Sequence, residues 1–139
     1  MTWYYDGVPY QHDGTPFGFV YLIENLITGR KYIGRKYFSK AGTKQVNGKK
    51  RKIRKSSDWE TYYGSNETLK REIKELGEHN YRRTILHLCK SKSECSYYEL
   101  REQMDRRVLE SDEYYNDWVT AKIRKDHLKS IVQSNKNTI

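Results

Sequence analysis

Cysteine is nearly absent from this 139-residue chain, with Cys89 and Cys95 the only two. That is too few for the disulfide framework of a small secreted domain, so both are expected as reduced thiols. They form no Cys-x-x-Cys pair and no histidine stands at finger-like spacing from them, which argues against a structural zinc site. Long apolar runs are missing as well, so nothing reads as a membrane span. Met1 to Asp6 lacks the basic start and apolar stretch of a signal peptide, and a protein made and used in the cytoplasm is expected. No segment joins a basic face to a clearly apolar face of Trp, Phe and Leu, which counts against a membrane surface as partner. Internal repeats are absent too.

What is present is charge and tyrosine. Hydrophobic residues make up 35% and charged residues 32%, while thirteen tyrosines supply large faces that pack and still hydrogen-bond. This is the composition of a folded domain with a highly charged surface. Its formal charge of +9 points to a polyanionic partner, because clustered Lys and Arg gain affinity from phosphate contacts and counterion release. Nucleic acid is the leading candidate. The length suits one domain, since domains commonly run about 100 to 150 residues.

Residues 1–17 hold Gly7, Pro9, Gly14 and Pro16 among aromatics and read as an irregular arm on the domain. In Gly18-Phe19-Val20-Tyr21-Leu22-Ile23 and Lys31-Tyr32-Ile33-Gly34, β-branched and aromatic residues flank a turn-forming stretch from Asn25 to Gly29, which predicts a β-hairpin. Residues 39–57 are polar and basic, broken by Gly42, Asn47 and Gly48, and read as an insertion loop. A helix capped by Ser65 or Asn66 is expected next, with Leu69, Ile73 and Leu76 on one face and Gly77 as its stop. Tyr81 to Cys89 reads as a third strand. Ser91 or Ser93 caps a second helix running to about Leu109, with Tyr97, Leu100, Met104 and Val108 on the face expected to meet the sheet. Residues 117–139, with Trp118, Ile123, Leu128 and Ile131, predict a helical extension and tail. The order predicts a single α+β domain over 18–116, a small, mostly antiparallel three-stranded sheet flanked by helices.

With Phe19-Val20-Tyr21 as the first tripeptide and Tyr32-Ile33-Gly34 as the second, the chain resembles the GIY-YIG nuclease family, named for two such tripeptides on adjacent strands. Trp59-Glu60-Thr61-Tyr62-Tyr63-Gly64-Ser65, whose end resembles the Tyr-x-Gly-Ser element of a phage-type branch, and the downstream helix bearing Glu99 follow in the expected order. The resemblance covers roughly Gly18 to Asn116. It implies a DNA endonuclease that uses Mg²⁺ or Mn²⁺, of a phage or homing-like kind, working as a monomer or weak homodimer. The short stretch after Asn116 leads us to expect modest sequence specificity.

Phosphodiester cleavage needs an activated nucleophile, a cation to stabilise the pentacovalent oxygens and a proton route for the leaving group. By resemblance, Glu99 holds the metal, and Tyr21 and Tyr32 position and deprotonate the attacking water. A phenol of pKa near 10 needs a nearby cation to act as a base at neutral pH, which Arg35 and Lys36 stand close enough in sequence to supply. Glu102 is the second choice for the metal, whereas Glu94 reads as a capping residue. The family's phosphate-gripping arginine has no counterpart at its usual spacing, where the basic insertion lies. Among Lys36, Arg51, Arg54, Arg82 and Arg83, Lys36 is favoured for its fixed distance from the hairpin. The run Lys49, Lys50, Arg51, Lys52, Arg54 and Lys55 reads as a DNA backbone track, joined by Arg35, Tyr62, Tyr63 and Ser65. His87 reads more readily as a packed or edge histidine than as an acid, and Asn116 as either the family's late asparagine or a helix N-cap or turn residue. A non-catalytic nucleic-acid-binding module and a tyrosine-faced protein-interaction domain are the competing readings.

Overall fold

The computed structural model describes residues 2–119, 125–128 and 131. Its first residues are strand rather than irregular arm. Trp3–Tyr5 (β1) turns back through Asp6 and Gly7, both at positive φ, onto Val8–Pro9 (β2). The expected hairpin is present as Gly18–Asn25 (β3) and Lys31–Tyr37 (β4), in unbroken antiparallel register from Gly18↔Tyr37 to Glu24↔Lys31. Its turn is locked by Asn25, whose Oδ1 accepts from the Ile27 and Thr28 amides while Nδ2 donates to the Tyr81 and Tyr115 hydroxyls.

The basic insertion is a second hairpin, Ser39–Val46 (β5) and Lys49–Ser56 (β6), turning at Asn47-Gly48. Asn-Gly supplies the two positive φ values that a two-residue turn of this twist requires, and this overrides a composition that reads as loop. A short 3₁₀ turn, Trp59–Thr61, leads to Glu67–Leu76 (α1). Asn66 caps this helix by accepting from the Leu69 amide, and Leu69 and Ile73 are buried, each side chain worth roughly 1.5–3 kcal/mol. Tyr81–Cys89 (β7) and Lys92–Asp105 (α2) complete the domain.

The main sheet has five strands in the order β2-β1-β7-β3-β4, so the expected three antiparallel strands are its centre and edge. The two extra strands come from the N-terminal residues, and β1 joins β7 in parallel, which makes the sheet mixed. A register shift opposite Val20/Tyr21 makes Leu86 an extra residue in β7. Before it, Arg83 and Ile85 face the α1 side; after it, His87 and Cys89 face α2. The α1 face is an aromatic core around Trp3, Phe19, Tyr21, Phe38 and Leu69, and the α2 face is a smaller cluster of Val20, Leu22, Ile33, Cys89, Cys95 and Val108.

The second helix departs from its expected limits and face. It ends at Asp105 with Arg106 as its C-cap, since Arg107 is left-handed with φ 54°, and Val108 belongs to the 3₁₀ turn that follows. Met104 is exposed, whereas Glu94, Cys95 and Gln103 are buried. The helix therefore docks largely through polar groups, with Gln103 donating to the Ile33 carbonyl at 3.2 Å. A helix set against an edge strand finds unpaired backbone there, and a buried polar side chain that satisfies it carries little cost. Of the expected C-terminal extension, Ile123 lies outside the described residues, and Lys125–Leu128 is a single 3₁₀ turn.

Candidate active site

Strand β4 is an edge strand, and a cleft of about 380 Å³ opens along it. Tyr21, Tyr32, Gly34, Arg35, Ser65, Glu99 and Asn116 are among its lining residues. The cleft wraps the strand's edge: Tyr21 and Tyr32 approach from the α1 face, Arg35 and Glu99 from the α2 face. Two glycines permit this. A Cβ on Gly34 would collide with the Tyr21 hydroxyl, so the missing side chain lets that phenol pass. Gly64, at φ 88°, lies against the Tyr32 ring and turns the chain so that the Ser65 hydroxyl meets the Tyr32 hydroxyl at 3.1 Å.

Glu99 and Arg35 form an ion pair at 2.6 Å, Nη1 to Oε1, with the carboxylate side chain 13% exposed. Burial raises the Glu99 pKa above its ordinary value, and the Arg35 charge opposes the shift without cancelling it. Burial likewise pushes Tyr21 well above the ordinary phenol value, reinforced by Tyr62 and Tyr32. Tyr32 is raised by burial too, against the hydrogen bond with Ser65. Both phenols are thus protonated at neutral pH.

Asn116 is neither cap nor turn residue. Its side-chain amide grips the Ile33 backbone at two points, Oδ1 accepting from the amide at 3.0 Å and Nδ2 donating to the carbonyl at 2.8 Å. Asn66, besides capping α1, donates to the Tyr115 carbonyl, tying the Ser65 wall to the Asn116 wall.

Other candidates lie elsewhere. Lys36 points away from the cleft to Asp58 at 2.6 Å, its ammonium 4.0 Å above the Tyr62 ring; strand alternation puts Arg35 on the Glu99 side instead. Tyr62 meets Tyr21 edge to face at 6.0 Å and borders the hollow shared by Arg35, Lys36 and Lys40. Tyr63 faces inward onto Arg83, a buried cation sandwiched between Tyr63 and Trp3 that donates to the Glu60 and Tyr62 carbonyls. Arg83 is thereby a brace for the 59–63 segment and is removed from phosphate. Arg82 covers Tyr4 on the opposite flank. His87 stacks on Tyr98 at 4.5 Å and pairs with Glu102, which also holds Arg106, so neither His87 nor Glu102 lines the cleft. Glu94 accepts from the Lys90 amide, and the Ser91 hydroxyl from the Glu94 amide, as a cap should. Arg51, Arg54 and the other cations from Lys49 to Lys55 lie on the β5–β6 hairpin. Sequence reasoning passed over Gln103, Asn66 and Asp117 on the cleft wall; Gln103 at i+4 from Glu99 was the available signal.

A divalent cation at Glu99 would meet few protein ligands. Among the described residues no three His, Cys, Asp or Glu side chains gather to hold a metal. One carboxylate with waters and a substrate phosphate is nevertheless a set Mg²⁺ accepts, and Asp117 also lines the cleft.

A family model described as "Putative endonuclease segE, GIY-YIG domain" matches residues 3–119. The chain is also similar to "Putative endonuclease segE" of Enterobacteria phage T4, 35% identical over 100 residues that cover 72% of this chain and 40% of that protein. The matched part is thus well under half of that relative's length. No solved structure matches.

Proposed function

Because the chain belongs to the GIY-YIG endonuclease family, we propose that it hydrolyses phosphodiester bonds of DNA with the help of a divalent metal ion, Mg²⁺ or Mn²⁺. The observation that carries this reading is the convergence of Tyr21, Tyr32, Arg35 and Glu99 from two faces of the sheet onto one cleft at the β4 edge. Glu99 would hold the ion, with Asp117 lining the same cleft; when bound the ion supplies charge to stabilise phosphate oxygens and to acidify groups near it. Arg35 gives a fixed positive charge for the scissile phosphate and takes the place that Lys36 is expected to fill. Tyr21, buried and crossed over Gly34, orients the nucleophilic water by a directed hydroxyl. Tyr32, whose hydroxyl reaches the solvent side through Ser65, would take up the water's proton only as a phenolate, its own proton having passed to solvent once a cation in the cleft lowered its pKa. The phage relative suggests a bacterial cytoplasm as the setting, with the protein acting as a monomer or weak homodimer.

The Arg35–Glu99 pair favours one rival, a DNA-binding module in which the arginine permanently neutralises the carboxylate. Supercoiled plasmid decides between them. Wild type and Glu99→Gln are each incubated with Mg²⁺, Mn²⁺ or EDTA at low salt. Metal-dependent nicking by wild type alone supports the nuclease. Salt-sensitive binding by both proteins without cleavage supports the module, and equal cleavage by both removes Glu99 from the chemistry.

A further inference from the structure

The β5–β6 hairpin is a sheet of its own, pairing with no other strand among the described residues. It carries Lys40, Lys44, Lys49, Lys50, Arg51, Lys52, Arg54 and Lys55, all exposed, and residues 39–57 contain no acidic side chain. Among the described residues none of these eight cations has an ion-pair partner within the chain. The register sets Lys40 opposite Lys55 and Lys44 opposite Arg51. Like charges directly opposite on one face of an antiparallel pair destabilise it, so this ribbon is held against its own repulsion. Its root is firm. Phe38 is buried against His12, the Ser57 amide donates to the Phe38 carbonyl, the Ser57 hydroxyl to the Tyr37 carbonyl, and Arg54 to Ser39.

We infer that this ribbon lies in the major groove of duplex DNA beside the cleft, a reading that rests on DNA being the substrate proposed above. A two-stranded β-ribbon fits a groove about 12 Å wide, and eight-residue strands reach roughly 26 Å along it. Cations leave both faces, as suits an element flanked by two phosphate backbones. Same-face positions recur every ~6.7 Å, about twice the axial charge spacing of one DNA strand. Residues 39–56 have no aromatic side chain on which an unpaired base stacks, which selects duplex over single strand. The ribbon also joins the cleft without a break: Arg35 lines both the cleft and the hollow that contains Lys36 and, at the ribbon's root, Lys40.

The test measures binding in EDTA, where no metal chemistry intervenes, to a 30-base-pair duplex, its single strand and polyglutamate across a salt series. Wild type is compared with a ribbon triple (Lys44→Gln, Arg51→Gln, Lys52→Gln) and a control triple on α1 (Lys70→Gln, Arg71→Gln, Lys74→Gln). The ribbon triple is expected to weaken duplex binding about 30- to 100-fold and to flatten the salt slope by roughly 2 to 3 units, near 0.9 for each phosphate no longer neutralised, with the control triple within about threefold of wild type. Methyl green, which occupies the major groove, should displace wild type, while distamycin in the minor groove should not. Equal losses in the two triples, displacement by distamycin alone, or tighter binding of single strand or polyglutamate would overturn the inference. Melting temperature reports folding. Should the ribbon triple misfold, Lys44→Gln alone, which relieves a like-charge pair, should still cost about one unit of slope, and an unchanged slope counts against the ribbon. Plasmid cleavage separates the two readings: an unaltered slope with cleavage present defeats the ribbon only, and a reduced slope with no wild-type cleavage under any metal defeats the nuclease only.

Discussion

The hydroxyl of Tyr21 occupies the space in which a side chain on Gly34 would begin. One strand's aromatic tip and the next strand's missing Cβ are thus a single device, set by the register Tyr21↔Gly34. Gly34→Ala is expected to destabilise the fold by about 1–3 kcal/mol through overpacking and to displace the phenol. Adding Tyr21→Phe removes the hydroxyl but leaves the ring carbon 2.6 Å from the new Cβ, so it should recover only part of the stability in urea titration and none of the cleavage. Full recovery of both would show the hydroxyl to be a packing group only.

Arg35 and Lys36 are neighbours with opposite orientations, so their roles separate by mutation. Arg35→Met is expected to lower plasmid cleavage by on the order of 10²–10³-fold, the range for removing one preorganised electrostatic stabiliser, and Lys36→Met by much less. The check is single-turnover cleavage at saturating protein, and a larger loss in Lys36→Met would return the phosphate-binding role to that residue.

Glu99 couples acidity to stability. Its pKa is raised in the folded protein, first by burial, with Arg35 opposing. The stability this carboxyl contributes is therefore fully present below its unfolded pKa and is lost as pH rises through the folded value. Denaturation of wild type and Glu99→Gln from pH 4 to 7 should show wild type losing stability relative to the variant as pH rises. Cleavage should run the other way, increasing as the carboxylate ionises.

Arg83 holds the 59–63 segment through two backbone carbonyls and two aromatic faces. Arg83→Met retains volume but leaves those carbonyls short of a charged donor, at roughly 1.5–3 kcal/mol each at most. A fall in melting temperature together with reduced cleavage is expected. Arg83→Lys should recover part of the stability without the planar stacking on Trp3 and Tyr63.

The hairpin, α1 and β7 are legible in the sequence because each states its structure locally: alternating apolar strands, an Asn66 cap, Leu69 and Ile73 one turn apart. Residues 3–9 are not, because a three-residue strand is made by the partner it finds, here β7 about eighty residues later. The ribbon reads as loop because charge obscures the Asn47-Gly48 turn signal. Glu99, Tyr21 and Tyr32 stand out by motif order and do meet in the cleft. Choosing between Arg35 and Lys36 requires knowing which face of β4 carries α2, and β4's hydrophobic pattern of Ile33 between Tyr32 and Gly34 does not say. The buried face of α2 escapes the sequence for a related reason, since its contacts are polar and an apolar stripe points the wrong way.

The segment after α2 has a further bearing on how the molecule behaves in concentrated solution. Glu113 and Tyr115 bond to Lys31 as a parallel strand would, and the Asn116 side chain continues the pattern on Ile33 in place of backbone. An exposed sheet edge is a template for other chains. Here residues 113–115 and the Asn116 amide act as a selvedge along β4, so the protein can keep its reactive groups at a sheet margin without that margin recruiting a second copy. Chains lacking the Asn116 amide should self-associate before they unfold, a change visible by light scattering at temperatures where circular dichroism is still native.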